Sequence, residues 1–171
     1  MDYNAISAWT AVIASLIAIV ALIVEIIRSR FQLSVEMLFK FVNEFESNRM
    51  REIRKKAAEE LSEGKNEGYI DDVLGFFEMV GLLTRRKAIR EEFVWHEFYD
   101  WIKGYYILCK DHIESDREDD RTLWEDFIWL QERLDKVEIK RRRKHRKSCY
   151  EEDLCMNADE LNEFLEGELN L

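Results

Sequence analysis

The stretch "AVIASLIAIVALIVEIIRSR", Ala11 to Arg30, decides how this chain is organised. It stays apolar on every face for more than three helical turns and then runs into Glu25, Arg28 and Arg30. From Ala5 to Val24 no residue is charged, which matches the about 20 apolar residues a helix needs to cross a hydrocarbon core of roughly 30 Å. A core helix of a soluble protein is rarely apolar all round over such a length. A cleaved signal peptide has a basic leader and a shorter apolar run, whereas this leader reads "MDYN". One N-terminal transmembrane helix is the expectation. Tyr3 and Trp9 lie near one end, where amphipathic rings favour the interface, and Arg28 and Arg30 follow the other. The positive-inside bias then places the N-terminus outside and the bulk of the chain in the cytoplasm, as a single-pass protein of the inner (plasma) membrane.

Within that stretch Asn4, Ser7, Ala11, Ala14, Ala18, Ala21, Glu25, Arg28 and Gln32 recur at alternating spacings of three and four. Small residues in the bilayer let helix backbones approach closely, which drives association where large apolar surfaces gain little from one another. A period of 3.5 residues favours left-handed supercoiling. The stripe Ser7, Ala11, Ala14, Ala18, Ala21 and Glu25 therefore reads as the seam of a homo-oligomer. Glu25 would face neighbouring helices, where it meets Arg28 or interfacial water. The plainer reading is that alanine is common in such spans and Glu25 snorkels to the headgroups.

The rest of the chain is rich in charge and poor in helix breakers. Of 171 residues 47% are hydrophobic and 36% charged, with no proline and six glycines, which fits long helices. The net charge of -10 argues against a nucleic-acid coat. Three cysteines, Cys109, Cys149 and Cys155, are an odd number without a disulfide-framework spacing and read as reduced thiols. Apolar residues keep helical spacing at Phe31, Val35, Leu38, Phe39, Val42 and Phe45, and "MREIRKKAAEEL" carries helical character to about Leu61. Ser62–Gly68, "SEGKNEG", is the clearest loop. Three further helices are predicted in "YIDDVLGFFEMVGLL", "REEFVWHEFYDWIKGYYILCKDHI" and "TLWEDFIWLQERLDKVEI", with Gly81 or "TRRK" marking the turn after the first. Their aromatic residues, at spacings of three and four, read as the core of a bundle before they read as a platform for stacked bases. The fold class is all-α: a transmembrane anchor over 1–30 continuing into a cytoplasmic helical bundle over 31–139, then a basic block and acidic tail over 140–171.

At "VLGFFEMVGLLTRRKAI", "FVWHEFYDWIKGYY" and "LWEDFIWLQERL" the sequence resembles the small bacterial membrane proteins grouped as domain of unknown function 4760. The resemblance runs from about "MREIRKKAAEEL" to Leu134, and the preceding span matches that family's layout. The Phe-Phe-Glu and Gly-Leu-Leu elements look like packing signatures. The family has no established activity, so the resemblance implies no catalytic residue and no cofactor.

Chemical motifs are sparse. Helical ribonucleases of the higher-eukaryote-and-prokaryote nucleotide-binding type use an Arg-(four residues)-His motif. The residues five before His96, His112 and His145 are Glu91, Ile107 and Lys140, so the spacing fails. Arg90 and His96 form a looser variant, but a separation of six points side chains apart on a helix. His145, Cys149 and Cys155 match no compact zinc spacing. Phosphate-cradling glycine loops, nucleophile elbows and metalloprotease helices are missing. The pairs Asp71-Asp72 and Asp119-Asp120 fit solvated helix starts, and Asn157 with Glu160 fits a capping box. Lys140, Arg141, Arg142, Arg143, Lys144, Arg146 and Lys147 form a dense basic block ahead of an acidic tail. It suits anionic lipid or RNA, or a clasp with the tail tethered beside it.

The leading expectation is a non-enzymatic, self-associating membrane protein whose partners are the lipid bilayer and its own copies, as in an oligomeric, pore-like effector of bacterial anti-phage defence. A membrane-tethered RNA-binding, ribonuclease-like or nucleotide-sensing domain and a monomeric scaffold for a protein partner are the alternatives.

Overall fold

Ser47 divides the first sixty residues into two helices. Its hydroxyl accepts from the Met50 N–H at 3.2 Å, the bond by which an N-cap serine satisfies an otherwise unpaired amide. Before it runs α1, Tyr3–Phe45, and after it α2, Asn48–Glu63. The computed structural model describes residues 3–65, 67–145, 154 and 156–171, with side chains at all of these except 3–12 and His145. Within them the chain continues as α3 (Tyr69–Arg85), α4 (Glu91–Leu108), α5 (Lys110–Asp119), α6 (Glu125–His145) and α7 (Ala158–Leu169). The protein is all-α, and no strand occurs among the described residues.

The bundle is built on α3, which packs against α2 and α6, with α4 laid along α6 and α7 resting on α2 and α4. Phe45, Phe77, Phe98, Tyr105 and Phe127 are fully buried where these helices meet. Phe45 touches the rings of Phe76, Phe77, Phe98 and Trp101 at centroid distances of 5.3–5.6 Å, within the range in which aromatic pairs attract beyond their area burial. The aromatic residues are therefore bundle core, as their spacing predicts.

Two glutamates cap helices from outside. The Glu60 carboxylate, on α2, accepts from the main-chain N–H of Glu67, Tyr69 and Ile70, at the start of α3. Glu78, on α3, accepts from Asp126 and Phe127 at the start of α6. Each places a carboxylate at the positive end of a helix dipole while satisfying its first amides. The Phe-Phe-Glu element is thus a packing unit: Phe77 enters the core and Glu78 holds α6.

Several boundaries differ from those expected. Helix α2 runs two residues past Leu61 to Glu63 and stops at Gly64, whose φ of 66° is left-handed. Of the two marks expected for the turn after α3, Gly81 lies inside the helix, whereas the chain does reverse at "TRRK", after Arg85, where Lys87 takes a φ of 60°. The "REEFVWHEFYDWIKGYYILCKDHI" stretch breaks at Cys109 into α4 and α5. Asp71 and Asp72 do begin α3. Asp119 instead ends α5, and Asp120 follows it, accepting from the Thr122 N–H and hydroxyl. The expected 139/140 boundary falls inside α6.

Candidate functional site

Helix α1 has two halves with different surroundings. Every described side chain from Ile13 to Leu33 is exposed, and Ser34 is the first buried one. Leu16, Ile17, Val20, Leu22, Ile23 and Val24 are each half or more open to their surroundings, a concentration of exposed apolar side chains of the kind that marks a contact surface. Beyond Ser34 the helix packs into the bundle through Leu38 and Phe45. Phe39 departs from the expected inward set and is 60% exposed.

Among the described residues no helix is long and apolar enough to cross a membrane. Residues 13–24 are apolar or small, but Glu25, Arg28 and Arg30 then interrupt the run. The expected span starts at Ala5, so residues 5–12 of it lie outside the described side chains. The same holds for Ser7 and Ala11 of the expected seam. Its other members, Ala14, Ala18, Ala21 and Glu25, are exposed along α1 and take no part in the core.

The two halves of α1 meet the bundle at a defined joint. The Ser34 hydroxyl accepts from the Arg90 N–H at 3.0 Å, tying α1 to the first residue before α4. The Arg90 guanidinium lies over the rings of Phe31 and Phe93, 5.4 and 5.9 Å from their centroids. His96 is well exposed beside Trp95 and Glu97. Arg90 is thus engaged at the α1 joint and His96 is not part of it, so the structure does not bring this weak catalytic pair into one constellation.

The basic block is partly absorbed by the bundle. Helix α6 carries Lys140 to Lys144. Arg141 stacks 3.9 Å from the Trp95 centroid and Arg142 bonds the Glu138 carboxylate one turn earlier, while Lys140 and Lys144 are exposed. Arg146 and Lys147, and the expected His145, Cys149 and Cys155 donors, lie outside the described side chains.

The acidic tail contributes a buried anchor that sequence spacing does not reveal. Asn157 and Glu160 form the expected capping box at the start of α7. Near its end the Glu168 carboxylate accepts from Arg54 Nε and Nη2 at 2.8 and 2.7 Å, Trp101 Nε1 at 3.2 Å and Tyr105 Oη at 2.6 Å. Burial opposes the charge on Arg54, but the Glu168 bonds and charge outweigh it and leave its pKa above the ordinary value. Burial, reinforced by Glu168, raises that of Tyr105 well above the phenol range. Arg54 and Glu168 are 114 positions apart, which hides the pair from any periodicity.

A second cluster joins α3 to α5. His112 Nε2 lies 2.6 Å from Asp71 Oδ1 and 3.4 Å from Asp116 Oδ2, and Asp116 also accepts from Trp124 Nε1 at 2.8 Å. The three ligand-type atoms lie within 4.8 Å of one another. The donors are of the kind that take a divalent cation, and the same contacts serve as a hydrogen-bonded tie between helices. His112 and Asp116 are one turn apart and so legible as neighbours, but nothing local points to Asp71.

An apolar helix standing clear of a satisfied helical bundle defines the class: a small all-α protein whose large exposed surface is concentrated on one element. The chain belongs to the family described as domain of unknown function (DUF4760), whose model matches residues 5–134. That match takes in most of α1 and ends at Leu134, where the resemblance ends, and it leaves α7 outside. No curated protein and no solved structure matches the chain.

Proposed function

We propose that this protein is a membrane-anchored, self-associating helical protein that acts without catalysis, as an oligomeric membrane effector of the kind used to perturb or gate a bilayer in bacterial anti-phage defence. One observation carries the reading: the apolar surface of α1 from Ile13 onward has no partner within the chain, although the bundle beside it is complete and, among the described residues, leaves no buried side-chain nitrogen or oxygen without a hydrogen bond. Lipid supplies the missing partner for the bulky faces, and other copies supply it for the stripe of Ala14, Ala18 and Ala21. The residues before Ile13, whose side chains lie outside the described set, extend the uncharged run back to Ala5, giving the about 20 positions a crossing needs. The bundle then lies on the cytoplasmic side with Arg28 and Arg30.

The test is the assembled mass of the full chain in mild detergent or nanodiscs, with Ala14→Leu and Ala18→Leu as probes of the seam. Bulky side chains there should separate the copies and lower the mass. An unaltered mass removes self-association alone. Recovery of the chain in the aqueous fraction after lysis without detergent removes the anchor as well.

A further inference from the structure

An open cavity of about 490 Å³ lies where α1 meets the turn between α3 and α4. Arg30, Lys87, Arg90 and Arg133 line it, against the carboxylates of Glu91 and Glu92. Glu91 is already engaged, bonded by Arg133 through two guanidinium nitrogens. Among the described residues Arg30, Lys87 and Arg90 form no ion pair, in a chain that carries 36 acidic residues against 26 basic. Arg28 and Arg86, next to two of these cations in sequence, form none either. The charges of Arg30, Lys87 and Arg90 at this joint are therefore left without a carboxylate partner, the Arg90 guanidinium resting on the Phe31 and Phe93 rings.

The joint also has an apolar wall. Ile27 and Phe31 border the cavity and are 61% and 43% exposed. They continue without a break into the exposed apolar surface of α1 on one side. On the other, the Ser34–Arg90 bond fixes the α4 start against α1. A ligand fitting both parts has a compact anion for the three cations and a hydrocarbon tail to lie along α1.

We propose that this cavity binds the phosphate headgroup of an anionic phospholipid, with the acyl chains running along α1 past Ile27. The assignment rests on the membrane reading above and goes beyond it, because it names a lipid class and places its site at the α1–α4 joint, away from the basic block of α6. Lys87 and Arg90 supply the charge from the bundle and Arg30 from the anchor, so a bound headgroup bridges the two halves of the protein. A free phosphate offers the same anion but leaves the exposed faces of Ile27 and Phe31 uncovered.

Native mass spectrometry of the full chain in a neutral detergent tests this, titrated with phosphatidylglycerol, phosphatidylcholine and inorganic phosphate. Phosphatidylglycerol should bind more tightly than phosphatidylcholine. Lys87→Gly and Arg90→Gln should each weaken that preference roughly fivefold, the amount one cation near an anionic lipid provides. Lys87→Gly suits the left-handed backbone at this position, and Arg90→Gln keeps the main-chain bond to Ser34, so neither threatens the fold. Lys140→Gln combined with Lys144→Gln should leave the preference unchanged. Equal binding of the two lipids, a preference unmoved by both cavity variants, its loss in the α6 variant, or displacement of the lipid by inorganic phosphate each overturns the proposal. Flotation with phosphatidylcholine vesicles separates the two failures. A chain that does not float sinks the anchor, while the headgroup preference read in detergent still decides the cavity.

Discussion

Cys109 closes α4 and is 1% exposed. Its thiol is pushed from an ordinary 9.0 up to about 12 by burial, helped by the charges of Asp71 and Glu60. An unfolded chain therefore releases this proton at a pH where the folded one keeps it. Stability contributed by the neutral thiol is complete below about pH 9 and is lost as pH rises toward 12. Tyr99 and Tyr105, both raised chiefly by burial, add to the loss as pH reaches and passes 10.0, their ordinary value. Urea unfolding at pH 8 and pH 10 should show a drop, of which Cys109 accounts for about 1 kcal/mol at one unit above its unfolded pKa. Cys109→Ala should remove that share and leave the tyrosine share. Glu168 gives a second prediction at this scale. Glu168→Gln leaves the Arg54 guanidinium, 3% exposed, without its carboxylate. Removing one partner of a buried pair costs about 3–5 kcal/mol, here capped by the free energy of docking α7, which can detach locally. Limited proteolysis should cut α7 in Glu168→Gln much faster than in the native chain, and Arg54→Met in the same background should restore protection. Continued sensitivity of the double variant would show that packing of α7 depends on more than this pair.

Two glycines in helices separate rigid from yielding contacts between elements. A Cβ at Gly81 would collide with the Asp126 carbonyl, main-chain atoms that α6 cannot move without shifting as a whole. At Gly104 it would press on the Phe164 ring, within 2.9 Å of three of its carbons, and that ring can turn or withdraw with α7. Gly81→Ala should destabilise the whole bundle by about 1–3 kcal/mol, the usual range for overpacking. Gly104→Ala should mainly loosen α7, measured as faster amide exchange in residues 158–169 with little change in the midpoint of global unfolding. The elements themselves were legible because periodicity reports burial: α3, α4 and α6 sit where the three-and-four spacing of aromatic residues places them. The turns were less legible. The α2 end depends on Gly64, whereas the α4–α5 break at Cys109 leaves no glycine or proline to mark it, and the Gly81 position reflects a neighbour 45 residues away. The polar sites were illegible for a related reason. Glu168 with Arg54, Asp71 with His112, and Arg30 with Lys87 and Arg90 are each assembled across elements, and a single sequence records only spacing along one.

At the scale of the molecule the chain is a bundle, which includes the second half of α1, joined to a first half of that helix whose side chains stand outside the core. Every described side chain of residues 13–33 is exposed, so they supply little of the apolar burial that holds the fold, about 25 cal/mol per Å² removed from water. What links the halves is the joint at Ser34 and the edge contact of Phe31 with Phe93, 5.8 Å between centroids. A chain beginning at Arg28 keeps both, along with Leu38, Phe45 and the capping serine at 47. It should unfold cooperatively in urea within about 0.5 kcal/mol of the full protein, the scatter typical of changes away from buried features. It should also stay in the aqueous fraction and run as a monomer, since the proposed seam at Ala14, Ala18 and Ala21 is gone. The comparison has to use one detergent for both chains, because lipid or detergent bound only to the longer chain would stabilise it by mass action. A large fall in stability would mean that the apolar half of α1 supports the bundle through contacts between copies. An oligomer that survives the deletion would move the self-association surface off the removed part of α1, and the exposed Phe39, on the packed half of α1, and Met79, on α3, are then the first places to look.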